Sequence, residues 1–145
     1  MNVRALVLLL VAGCAADLDV EPLGDYTQWK RIDVTGPAPG HGNTYRVIYA
    51  DPLAADPAWP LRLGYQDGSI LVKEIRDNVD GQPGDLQYVA IMRRTKPIVT
   101  ALEAQGGWLY TESDEPGGPE IEPSFCWNRC HVAAPYNGAW YDYRR

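Results

Sequence analysis

Apolar and polar positions alternate in short runs along this chain, and glycine, proline and aspartate bound the runs. Residues 44–49 (Thr-Tyr-Arg-Val-Ile-Tyr), 70–75 (Ile-Leu-Val-Lys-Glu-Ile), 86–92 (Leu-Gln-Tyr-Val-Ala-Ile-Met) and 108–111 (Trp-Leu-Tyr-Thr) are rich in β-branched and aromatic side chains. That pattern predicts four strands. Asp51-Pro52 closes the first, the turn signal Gln66-Asp67-Gly68-Ser69 introduces the second, and Gly106-Gly107 introduces the fourth. Residues 78–85 are polar and contain glycine, and read as a loop. Short helices are expected at residues 25–32, with Asp25 as N-cap and the glycines and prolines of 36–40 as the stop. Others are expected at 53–56 and 97–105. After a loop at 115–119, a C-terminal helix carries two closely spaced cysteines and ends near Pro135. Strands at this spacing with hairpin-length connections define an α+β fold, mainly antiparallel β-sheet with a few short helices.

The N-terminus has a different texture. Arg4 precedes an apolar run over residues 5–11, and Val11-Ala12-Gly13-Cys14 places small residues before a cysteine. The run is shorter than the roughly 20 residues that a membrane-spanning helix needs and fits the core of a secretory signal. The segment resembles a bacterial lipoprotein signal, with cleavage before Cys14 and acylation of its thiol. The alternative is an ordinary signal peptide cut after Ala15 or Ala16. The expected division is a signal peptide at 1–13, an acidic, proline-broken tether at 14–25 and one domain at 26–145. The first reading anchors the chain by lipid in the bacterial envelope, at the outer membrane facing the periplasm; the second leaves it soluble in the periplasm. At 145 residues the chain has room for one core. A formal net charge of −6 excludes nucleic acid as a partner.

Removal or acylation of Cys14 leaves two of the three cysteines, and both lie in Cys126-Trp127-Asn128-Arg129-Cys130-His131. Haem c is attached when two thiols add across the vinyl groups of haem, and a histidine directly after the second thiol then ligates the iron. The usual signal has two residues between the cysteines; here there are three. Positions i and i+4 share a helical face, so Cys126 and Cys130 still reach one side together. Two alternatives stand beside this reading: a Cys126–Cys130 disulfide in a haem-free envelope binding or structural domain, and a metal site that only His41 and carboxylates would complete.

The run Gly68-Ser69-Ile70-Leu71-Val72-Lys73-Glu74-Ile75, the strand Gly106-Gly107-Trp108-Leu109-Tyr110 and the terminal Cys130-His131-Val132-Ala133-Ala134 together resemble the cytochrome P-460 family. The resemblance runs from about Tyr26 to Tyr143. It implies a small, mainly antiparallel β fold, often dimeric, with one five-coordinate haem. It also implies either oxidation of hydroxylamine, with a lysine cross-linked to the haem, or binding of nitric oxide. Lys73 is the candidate for that lysine.

Few other residues are available to the iron's open face. His41 lies in Gly40-His41-Gly42, a turn signature, and Met92 ends a strand and suits core filling. Lys73 and Glu74 both interrupt an apolar strand and are the catalytic candidates. Adjacent strand residues point to opposite faces, so one faces the haem and the other is solvated or paired with Arg76 or Arg93. Arg93-Arg94 offers bidentate donors suited to haem propionates, with plain surface charge as the alternative. The aromatic cluster Trp127, Tyr136, Trp140, Tyr141 and Tyr143 suits a core or an interface. A redox partner follows if the protein is an oxidant.

Overall fold

The computed structural model describes residues 20–95, 100–103 and 105–145. The signal segment, Cys14 and the first part of the tether lie outside the described residues, as do positions 97–99 and 104 of the helix expected at 97–105. Its described part is one turn, α1, at Thr100–Glu103.

Five antiparallel strands follow chain order across a single sheet: β1 (Lys30–Ala38), β2 (Gly42–Ala50), β3 (Ile70–Val79), β4 (Gln82–Arg94) and β5 (Trp108–Ser113). Strand β1 takes the last three residues of the helix expected at 25–32. Asp25 does cap a short turn, at Tyr26–Gln28, by accepting from the Thr27 backbone N–H at 3.2 Å. From Lys30 onward the residues alternate strictly, with Ile32 and Val34 inward and Arg31, Asp33 and Thr35 outward. Pro37 is tolerated because β1 lies at the sheet edge, where one side of the strand has no ladder to complete. Residues 52–55 form turns and not the expected helix.

The loop expected at 78–85 is instead the tip of a long hairpin. Val79 pairs with Gln82 across Asp80-Gly81, both with positive φ (50° and 83°), the geometry that makes Asp-Gly a favoured two-residue hairpin turn. The tip projects into water with largely exposed residues, so no apolar alternation marks it as strand.

Each face of the sheet carries a core. On one, Val47, Tyr49, Val72, Val89 and Ile91 pack beneath Tyr26 and the N-terminal segment. On the other, Ile48, Ala50, Leu71, Met92, Trp108 and Tyr110 pack against Tyr65, Ala139 and Tyr143 from the connections and the C-terminus. Trp108 is fully buried, donates from Nε1 to the Asn137 carbonyl at 2.6 Å, and meets the Tyr65 ring edge-on at 5.6 Å. The C-terminal segment is thereby tied across this second face, which is where the cysteines lie.

Candidate functional site

The chain over residues 126–130 closes as a single π-turn, Cys126–Cys130, with the His131 backbone N–H donating to the Cys126 carbonyl; a 3₁₀ turn, His131–Ala133, follows. A π-turn has the wider i→i+5 closure and recurs at functional sites. The third spacer residue is absorbed in that wider turn, and both thiols border the same cavity. Both are free, so the disulfide alternative is not formed.

The cavity measures about 500 Å³, within the usual span of small-molecule sites. Cys126, Cys130 and His131 form one wall and the second face of the sheet forms the other. Sheet register defines that face: Ile48, Lys73, Ala90 and Glu112 make one cross-strand row, and Leu71, Met92 and Tyr110 make the next. Exposed Phe125, Trp140 and Tyr141 also border the cavity, as does Tyr143, which is buried in the second core.

His131 is buried, and its Nδ1 lies 2.6 Å from the Gly138 carbonyl oxygen. A carbonyl only accepts, so Nδ1 carries the proton and Nε2 keeps its lone pair, the tautomer of a metal-binding imidazole. Burial pushes the His131 pKa down to about 4 against the raising effect of that hydrogen bond, which keeps the ring neutral near pH 7. Gly138 is required here. Its φ is +87°, and a Cβ would come within 2.9 Å of Trp108 Cδ1 and Tyr110 Oη. Only glycine lets the chain pass close enough to present that carbonyl.

Lys73 faces the cavity. The surface it retains lies on the cavity wall, and burial followed by the nearby Arg46 charge lowers its pKa to about 8. Glu74 points the other way, because neighbours on a strand alternate. Its carboxylate accepts from Tyr26 Oη at 2.9 Å and pairs with Arg76 at 2.9 Å, so its expected role at the site is corrected to a structural one. The expected propionate role of Arg93-Arg94 is also overturned. Arg93 makes a buried bidentate pair with Glu120 at 2.5 and 2.7 Å on the first face. Arg94 bonds the Gly106 carbonyl and Asp67 at the sheet end.

His41 serves its turn, with its N–H donating to the Ala38 carbonyl at 3.1 Å, and also lines the cavity. Met92 is buried in the second core and borders the cavity as well. Four titratable cavity residues are not among the sequence candidates: Arg46, Tyr88, Tyr110 and Glu112. Arg46 and Glu112 interrupt strands as Lys73 does, and that signal would have found them. Glu112 was missed because β5 runs two residues beyond the expected end at Thr111. Burial raises the Glu112 pKa, and Lys73 partly offsets the rise.

In haem-free protein the histidines predict an acid-labile fold. Buried His131 and half-buried His41 have pKa values lowered from 6.5 to about 4 and about 3, burial being the first cause of each. The unfolded chain therefore binds protons first. Stability is full above about pH 6.5 and falls as pH drops toward 4, with a limiting slope of about 1.4 kcal/mol per pH unit for each histidine. Urea midpoints across that range check this; midpoints that stay flat in wild type, or that fall as steeply in His131→Gln, contradict it.

The residues present fit a haem c. Two thiols and a neutral imidazole with a free Nε2 stand on one wall, and largely apolar side chains stand opposite. The buried Tyr110 hydroxyl at the cavity has no hydrogen-bond partner among the described residues. A five-stranded antiparallel sheet closing a cavity over a Cys-x-x-x-Cys-His turn defines a c-type haem protein with a haem c cofactor. Residues 23–140 match the model of the family described as Cytochrome P460, and the chain belongs to that family. The family sets its general chemistry as redox chemistry with small nitrogenous molecules. No curated protein matches the chain. Among the described residues, no helix is long and apolar enough to cross a membrane.

Proposed function

We propose that this protein is an envelope cytochrome that oxidises hydroxylamine at an open haem site. Cys126 and Cys130 hold the haem by thioether bonds and His131 Nε2 ligates the iron. Cys14 anchors the chain by lipid. Bound haem supplies the electron transfer, and a redox partner takes the electrons onward.

The observation that carries this reading is the placement of Lys73 and Glu112 in one cross-strand row of the wall opposite the cysteines. Oxidation of hydroxylamine releases protons as well as electrons, so its site needs groups that take protons up. Lys73, with a pKa of about 8, stands close to that range. Reversible binding of nitric oxide needs no such group. Among the described residues, Lys73 is the only lysine that borders the cavity.

The test uses holoprotein made with haem-maturation machinery, given hydroxylamine and an electron-accepting dye. Hydroxylamine-dependent dye reduction is expected. Holoprotein that binds nitric oxide but reduces no dye would establish the gas-binding reading in its place.

A further inference from the structure

His41 is the cavity imidazole that haem attachment leaves unused, and both of its ring nitrogens are engaged. Nδ1 lies 2.7 Å from Tyr88 Oη and Nε2 lies 3.1 Å from Lys73 Nζ. The three groups come from separate elements: the β1–β2 turn, β4 and β3. Glycines with positive φ on both sides of His41 (77° and 64°) fold the turn back so that the ring reaches the wall. The turn around it is exposed at Pro39, Gly40 and Gly42. Tyr88 borders the cavity and keeps part of its own surface exposed, so the line of three runs along the wall from Lys73 to a side chain that water reaches.

A neutral imidazole has one donor and one acceptor, so this line has two consistent arrangements. An ammonium only donates. With Lys73 charged, Nζ donates to His41 Nε2, and Nδ1–H donates to the Tyr88 oxygen. With Lys73 as an amine, Tyr88 O–H donates to Nδ1, and Nε2–H donates to Nζ. The heavy atoms are the same in both. Burial first, then the Lys73 charge, pushes the His41 pKa down to about 3, so the ring changes tautomer without becoming charged.

We propose that Lys73, His41 and Tyr88 form a proton relay that carries protons out of the haem cavity to solvent. This rests on the oxidation reading, since binding a neutral gas releases no proton. In one outward step Lys73 Nζ gives a proton to Nε2, Nδ1 gives its proton to Tyr88 Oη, and Tyr88 gives its own hydroxyl proton to water. Lys73 is left as an amine and takes the next proton from the cavity. One proton leaves, no electron moves, and the ring ends in its other tautomer; rotation or back-exchange resets it. The charged and titratable groups around the relay are Arg46 from β2, Glu112 from β5, both thiols of the π-turn, and His131. Arg46 disfavours charge on both Lys73 and His41, while Glu112 and the thiols favour it on Lys73.

The test is nitrogen NMR of histidine-labelled holoprotein in the diamagnetic ferrous, carbon-monoxide-bound state. The His41 proton is expected on Nδ1 at low pH and on Nε2 at high pH, with the change near pH 8 where Lys73 titrates, and absent in Lys73→Met. A ring that charges between about pH 5 and 8, or one that keeps a single tautomer throughout, overturns the relay. Tyr88→Phe, which keeps the ring and removes the exit, is expected to slow hydroxylamine turnover about 10²-fold, the low end for a positioned proton carrier, with KM and the Soret band unchanged. Unchanged turnover in Tyr88→Phe also overturns it. Wild type that shows the tautomer change yet turns over no hydroxylamine sinks the oxidation reading and leaves the relay as the path by which Lys73 equilibrates with solvent.

Discussion

Lys73→Ala is expected to lower hydroxylamine turnover by roughly 10²- to 10⁴-fold, the range of a positioned acid–base group, while Glu74→Ala leaves turnover per folded molecule unchanged and costs stability. The two residues are adjacent in sequence and differ only in the face they occupy. Lys73 stands between Ile48 and Ala90 on the cavity face. Glu74 stands between Val47 and Val89 on the other. Removing the Glu74 carboxylate strands two groups, the buried Tyr26 hydroxyl and the Arg76 guanidinium. Arg76 is partly exposed and regains water, so the cost is about 2–3 kcal/mol, below the 3–5 kcal/mol of a fully buried broken pair. Turnover normalised to haem, together with urea unfolding, separates the two effects. Equal loss of turnover in both variants would mean that Lys73 acts through the fold of β3 and not at the cavity.

Much of the sheet was legible in the residues. The four predicted strands all lie inside observed ones, because β-branched and aromatic side chains pack well on a half-buried pleated surface. What was not legible has physical causes. The start of strand β1 reads as the end of a helix because Asp25 and the following polar residues carry a real cap signal, and the alternation that marks the strand begins only at Lys30. The β3–β4 tip lacks the apolar side that reveals a strand. Bulges between Ile75 and Asn78 also break the register there.

The site was half legible for a related reason. Cys126, Cys130 and His131 are contiguous, so spacing alone placed them on one wall. The opposite wall is assembled from four strands, and its membership depends on register, which a single sequence does not display. Alternation requires that only one of Lys73 and Glu74 faces the cavity, but it does not say which. Arg93 shows the same limit: its bidentate carboxylate partner, Glu120, lies 27 positions away beyond β5. His41 was read as a turn residue, and the structure gives it a place in the turn and a place on the wall. The two roles share one cause, since a tight glycine-flanked turn is what aims the ring inward.

Replacing both Cys126 and Cys130 by alanine is expected to abolish all haem that survives denaturation, and either single replacement to leave a haem held by one thioether with a shifted haemochrome band. The wider π-turn is the reason to expect two bonds in wild type. It brings both thiols to the cavity despite the extra spacer residue. Burial and the Glu112 charge raise the Cys126 pKa to about 11, so this thiol is neutral near pH 7 in the folded chain. Cys126→Ala is expected to mature nearly as well as wild type, and Cys130→Ala, which removes the thiol directly beside the proposed iron ligand His131, to mature badly. The stability effect of the double variant is large as well. A dry cavity of about 500 Å³ would cost on the order of 10 kcal/mol at the usual price per unit volume, which is the whole net stability of a small domain. The haem-free chain must therefore flood or collapse around Ile48, Leu71 and Met92, and its melting temperature should fall well below that of the holoprotein. Haem staining after denaturing electrophoresis, intact mass and thermal melts check each part; haem retained by the double variant through denaturant would show that these thiols are not the attachment site.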